Sequence, residues 1–114
     1  ALLMIHKLKI KYSYASKIAH NLKTFELRKD DRNYQVGDWI AFEIVDSPDL
    51  SKLSKAERRE VEWVLTTIKD NQYLITYKLN NVPEYGLAND YCILRIIPFS
   101  QSLRGSIAKG FMCL

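Results

Sequence analysis

The chain has 114 residues, 47 % hydrophobic and 26 % charged, with 17 basic against 13 acidic side chains and a net charge of +4. That is enough chain for one domain with a modest core of its own, and the spread of apolar residues excludes general disorder. No apolar run approaches the ~20 residues of a membrane-spanning helix, so no membrane partner is expected, and the two cysteines, with no paired spacing, point to a reducing, cytoplasmic setting.

Ala1-Leu2-Leu3-Met4 is apolar but too short for a signal peptide. Residues 1–4 read as a leader or as added residues, with Met4 a candidate start. Ile5 to Lys11 alternates His6, Leu8 and Ile10 with Ile5, Lys7, Lys9 and Lys11, the pattern of a first strand. A helix follows, with Ser13 as N-cap, Ala15, Ile18, Ala19 and Leu22 on one face, and Asn21 or a residue beside it as a left-handed stop. Residues 24–29 form a second strand and 30–35 a polar turn. Val36-Gly37-Asp38 then leads into a third strand at Trp39 to Val45.

Residues 46–53 read as a loop, and Ser54-Lys55-Ala56-Glu57 matches a capping box that opens a single helical turn. Val61–Ile68 and Tyr73–Leu79 are β-rich runs joined by Lys69-Asp70-Asn71-Gln72, which predicts a hairpin. Residues 80–90 form a loop with Pro83 and Gly86. Tyr91–Ile97 reads as a central strand buried on both faces and ended by Pro98. Residues 99–114 are a weakly patterned tail or edge strand. The sum is an α+β domain over residues 1–98, a small barrel of five to six strands with one main helix after the first strand.

The segment Lys23-Thr24-Phe25-Glu26-Leu27-Arg28-Lys29-Asp30-Asp31-Arg32 concentrates the chemistry. Period-two alternation puts Thr24, Glu26 and Arg28 on one face of a strand and Phe25 and Leu27 on the other. The expectation is that Phe25 and Leu27 anchor the core while the polar face lines a site. Arg28 is suited to grip a phosphate or base edge, with Glu26 accepting from an exocyclic amine. Alternatively, the two tie helix to barrel as an ion pair. Lys23 lies at the helix–strand junction, and Arg32 is the stronger phosphate candidate of the following turn. His6 is a further site candidate, although a lone strand histidine is more often a structural one. Tyr34 and Trp39 flank the Val-Gly-Asp turn, where an exposed aromatic stacks on a base and a buried one packs in the core. Tyr85 and Tyr91 are weaker candidates for the border of the site.

Cys92 and Cys113 lack CxxC spacing, and only two histidines are present, so no metal and no cofactor is expected. There is no Gly-rich phosphate loop and no Ser/His/Asp set. The mild positive charge raises nucleic acid as a partner without requiring it.

The order of elements and the motifs resemble the ASCH domains of the PUA-like superfamily, above all the DUF3850 family. The likeness rests on His6-Lys7-Leu8-Lys9, the Lys23–Arg32 segment, Val36-Gly37-Asp38, and Gly86-Leu87 with Tyr91-Cys92-Ile93-Leu94. It covers roughly residues 5–97. It implies a PUA-like barrel with a cleft beside the first helix, and RNA or a nucleotide-like ligand as partner, with Lys23, Glu26, Arg28, Arg32, His6 and Tyr34 as the binding set. One ASCH branch hydrolyses N4-acetylcytidine with a Lys and a Thr of this strand. The position matching that Thr is Glu26 here, and Thr24 lies two residues earlier. The alternative is therefore an amidohydrolase with Lys23 as base, Thr24 or a Glu26-activated water as nucleophile and Arg28 at the oxyanion. A protein-interaction domain without a ligand is the third reading.

Overall fold

A computed structural model describes residues 4–80 and 82–100. The chain runs β1 (Ile5–Ile10), α1 (Tyr12–Ala19), β2 (Phe25–Lys29), β3 (Trp39–Ile44), a 3-10 turn (Leu50–Lys52), α2 (Lys55–Asp70), β4 (Tyr73–Asn80), a second 3-10 turn (Pro83–Tyr85) and β5 (Tyr91–Pro98). The five strands form one sheet in the order β1-β3-β4-β5-β2. β1 and β3 are parallel, and the other neighbours are antiparallel. The result is a small α+β fold with a curled half-barrel sheet and two helices.

β1 shows why the sheet has an inside. His6, Leu8 and Ile10 are buried and Ile5, Lys7 and Lys9 exposed, as the period-two pattern predicts. Leu8 and Ile10 join Ile40, Phe42, Tyr73, Ile75, Leu94 and Ile96 in the core. The helices close the core with Ala15 and Ile18 of α1 and Val64 and Ile68 of α2. His20, after α1, meets α2 through Glu60 at 2.5 Å, and its ring lies 4.6 Å from that of Trp63, tilted by 45°.

Several sequence expectations are corrected. Val61–Ile68 belongs to α2, a helix of 16 residues, and forms no hairpin strand. β-branched residues give this stretch a strand-like composition, but its buried residues are Val61, Val64 and Ile68, at helical spacing. The Ser54–Glu57 capping box is present, and it opens that full helix instead of a single turn. Among the described residues there are accordingly two α-helices, and the one after the first strand is the shorter.

Helix α1 starts at Tyr12, and Ser13 is not its cap. The orphan N–H of Tyr12 donates instead to Asp46 Oδ1 at 2.5 Å, a cap supplied from beyond β3. Asn21 does adopt the left-handed conformation, with φ 59°. β5 is flanked by strands on both sides but has one solvent-facing side, with Tyr91 and Arg95 exposed, and it includes Pro98. Phe99 packs its ring 5.7 Å from Trp39. The remainder of the expected tail, residues 101–114 with Cys113, lies outside the described residues, as do residues 1–3.

The largest correction concerns β2. Glu26 is 3 % exposed, whereas Phe25 and Leu27 are 47 % and 60 % exposed. The strand is turned over relative to expectation, with its charged face toward the interior of the curled sheet. A carboxylate is tolerated there because two cations neutralise it.

Candidate functional site

The crossover that carries β1 to its parallel neighbour β3 sends β2 to the far edge of the sheet. Curling then returns β2 toward β1, and the two free edges face each other across a seam. Arg28 spans it: its Nη2 donates to the Lys9 carbonyl at 2.8 Å, and Arg32 Nη1 reaches the Lys7 carbonyl at 3.4 Å. Arg28 Nε also donates to Glu26 Oε2 at 2.9 Å, and Lys23 Nζ donates to the other carboxylate oxygen, Oε1. Glu26 therefore accepts from both of its neighbouring cations. The Arg28 guanidinium lies 6.0 Å from the Phe42 ring centre and the Lys23 ammonium 4.8 Å from that of Tyr14, both cation–π arrangements.

A cleft of about 670 Å³ opens at this point. Phe25, Leu27, Tyr14, Tyr91 and Ile93 give it an apolar surface, because Leu27 is paired with Ile93 and Lys29 with Tyr91 across β2 and β5. Lys9, Lys11, Lys23, Arg28 and Lys29 surround that surface, and Glu26 is the one carboxylate in the lining. Lys23, Glu26 and Arg28 of the sequence-derived set thus converge on one open cleft.

The other candidates sit elsewhere. Thr24 lines a separate depression of about 70 Å³ with Tyr73 and Ile96, and its carbonyl accepts from Ile96 N–H. Arg32 and Tyr34 line a second hollow beyond Arg28. The Tyr34 ring is 1 % exposed and stands edge-on to His6 at 4.8 Å, so it is core and not a stacking platform. Burial raises the Tyr34 phenol pKa, while the Arg28 and Arg32 guanidiniums partly offset this. His6 lines neither cleft. Its Nε2 lies 2.8 Å from Asp38 Oδ2 in the interior. Asp38 also accepts from the backbone N–H groups of Gln35 at 3.0 Å and Met4 at 3.3 Å. Burial alone raises the Asp38 carboxyl, but these hydrogen bonds prevail and hold it below the usual carboxylate value. His6 and Asp38 brace β1 against the Val-Gly-Asp turn, where Gly37 adopts φ 97° and its N–H donates to the Ile75 carbonyl.

Sequence reasoning missed Lys9, Lys11 and Lys29 and the apolar Phe25, Leu27 and Ile93 as cleft residues. The signal for the first two was present: Lys7, Lys9 and Lys11 occupy every second position beside the buried residues of β1. Among the described residues no group of three His, Cys, Asp or Glu side chains is arranged to hold a metal ion. No helix among them is long and apolar enough to cross a membrane.

A family model described as a domain of unknown function, DUF3850, matches residues 5–96, and the chain belongs to that family. No curated protein matches the chain.

Proposed function

We propose that this DUF3850 domain is a binding module that takes RNA or a nucleotide-like ligand at the β1–β2 seam. The observation that carries the reading is an apolar cleft surface framed by five cations, in which the one carboxylate already accepts from two of them. A base offers a π face for the Tyr14, Leu27 and Tyr91 surface, and its phosphate takes the free donors of the rim. The curled half-barrel is compatible with a PUA-like barrel of the ASCH type, the architecture the sequence resemblance implies. The amidohydrolase reading has less support, because Thr24 lines a different depression and Glu26 is engaged by Lys23 and Arg28.

Fluorescence anisotropy with short single-stranded RNA and with nucleotides at low salt tests the proposal. The double variant K9A/K11A removes two exposed cleft cations without touching the Glu26 cluster. It is expected to weaken binding by about tenfold, about 1.4 kcal/mol. Absence of binding by the unaltered chain, or equal binding by the variant, overturns the proposal. Chromatography of N4-acetylcytidine after incubation checks the other reading: turnover that is lost in K23A would displace binding as the primary role.

A further inference from the structure

The cleft does not end at Arg28. Beyond it lies a second hollow of about 410 Å³ that continues along β1 to Lys7, Arg32 and Glu43. The two hollows share Lys9, Arg28 and Lys29 as common walls. Arg28 is thus a crossing point and not a closed end. Its Nε and Nη2 are bonded to Glu26 and to the Lys9 carbonyl, which leaves Nη1 hydrogens to meet a phosphate in passing.

Charge follows the same line. The two hollows together are lined by Lys7, Lys9, Lys11, Lys23, Arg28, Lys29 and Arg32 against Glu26, Asp31 and Glu43. That is seven of the chain's 17 basic residues and three of its 13 acidic ones, so the rest of the sequence holds ten of each. The entire net charge of +4 is that of the seam. Spacing points the same way. Lys7 and Lys9 are exposed on β1, and Lys11 continues them in extended backbone. Alternate residues of a strand lie roughly 6.6 Å apart, a repeat that an extended polynucleotide backbone can follow.

We infer that the two hollows form one track for a single-stranded RNA segment several nucleotides long, running past Arg28, and not a pocket for a single nucleotide. This rests on the reading of the cleft given above. The ribose favours RNA, because among the described residues β1 and β2 are the two outer strands of the sheet and their facing edges carry backbone N–H and C=O groups with no strand partner, of which the Lys7 and Lys9 carbonyls already accept from Arg32 and Arg28. A 2′-hydroxyl both donates to and accepts from such groups, and deoxyribose offers neither.

Titration of the whole chain with AMP, a uridine dinucleotide, a uridine octamer and the matching DNA octamer tests the inference. Affinity is expected to rise at least about tenfold from dinucleotide to RNA octamer. The octamer should also show the steeper salt dependence, with a slope of about −0.7 for each phosphate engaged. The double variant K7A/R32A, altered only in the second hollow, should lose about tenfold for the octamer and less than about twofold for the dinucleotide. AMP, dinucleotide and octamer binding with equal affinity overturns the track while leaving the cleft reading in place. Equal binding of the DNA octamer overturns the assignment to RNA. No binding of any of the four overturns both the track and the cleft.

Discussion

Arg28 holds Glu26 and the opposite edge of the sheet at once, donating to the Glu26 carboxylate at 2.9 Å and to the Lys9 carbonyl at 2.8 Å. One side chain therefore neutralises a buried acid and pins β2 against β1. The inverted face of β2 depends on it, because Glu26 is buried only where its charge is met. The same inversion places Phe25 and Leu27 in the cleft and not in the core.

Glu26→Ala is expected to lower stability by about 1.5–3 kcal/mol, the range for hydrogen bonds to charged groups. The cost stays moderate because Lys23 and Arg28 are about a quarter exposed and regain water when their partner is gone. Urea unfolding measures it. A Glu26→Ala chain as stable as the parent would show that the cluster does not hold the strand.

Asp38 ties stability to acid pH. Its folded-state pKa lies below the unfolded value of 3.8, so the unfolded chain binds the proton first as pH falls. Its contribution is therefore complete above the unfolded pKa and is lost as pH drops from about 4 through the folded value. Asp38→Asn should be less stable than the parent at neutral pH and show a shallower loss as the pH falls below about 4. Thermal melts across that range give the comparison, and parallel curves for the two proteins would refute the role.

Tyr73 sets an alkaline limit. Burial raises its phenol pKa from 10.0 to about 12. A group whose folded pKa is raised contributes fully below the unfolded value and loses that contribution as pH rises through the folded one. Stability should decline between pH 10 and about 12 more steeply in the parent than in Tyr73→Phe. Urea midpoints measured at both ends of that window decide it, and an identical decline in the two proteins counts against the assignment.

The reassignment of Val61–Ile68 to a helix has its own signature. In a strand Val64, Thr66 and Ile68 would share one face. In α2, Val64 and Ile68 are buried and Thr66 is exposed. Ile68→Ala should cost about 2–5 kcal/mol through lost burial and a cavity. Thr66→Ala should stay within about 0.5 kcal/mol of the parent. Comparable losses at both positions would favour the strand. Ser54→Ala should cost about 1 kcal/mol by removing the cap.

Features with a local cause are legible in the amino-acid order. The period of two on β1, the left-handed Asn21, the turn at Gly37 and the Ser54–Glu57 cap all follow from neighbouring residues. So does the pairing of Glu26 with Arg28, two residues apart on one strand face, whereas Lys23 reaches Glu26 from the segment before β2. Composition misled where periodicity and propensity disagreed, as in α2, whose β-branched residues sit at helical spacing.

Which face of β2 lies inside follows from the closed sheet and not from the strand. Alternation fixes that Phe25 and Glu26 lie on opposite faces, but it carries no sign. The sign came from Arg28 and Lys23, which meet the Glu26 charge once β2 is laid at the sheet edge and curled back toward β1. That curling also gathered Lys7, Lys9 and Lys11 with residues about twenty positions away. A seam between two sheet edges exists only after the sheet has closed, and no local pattern encodes it.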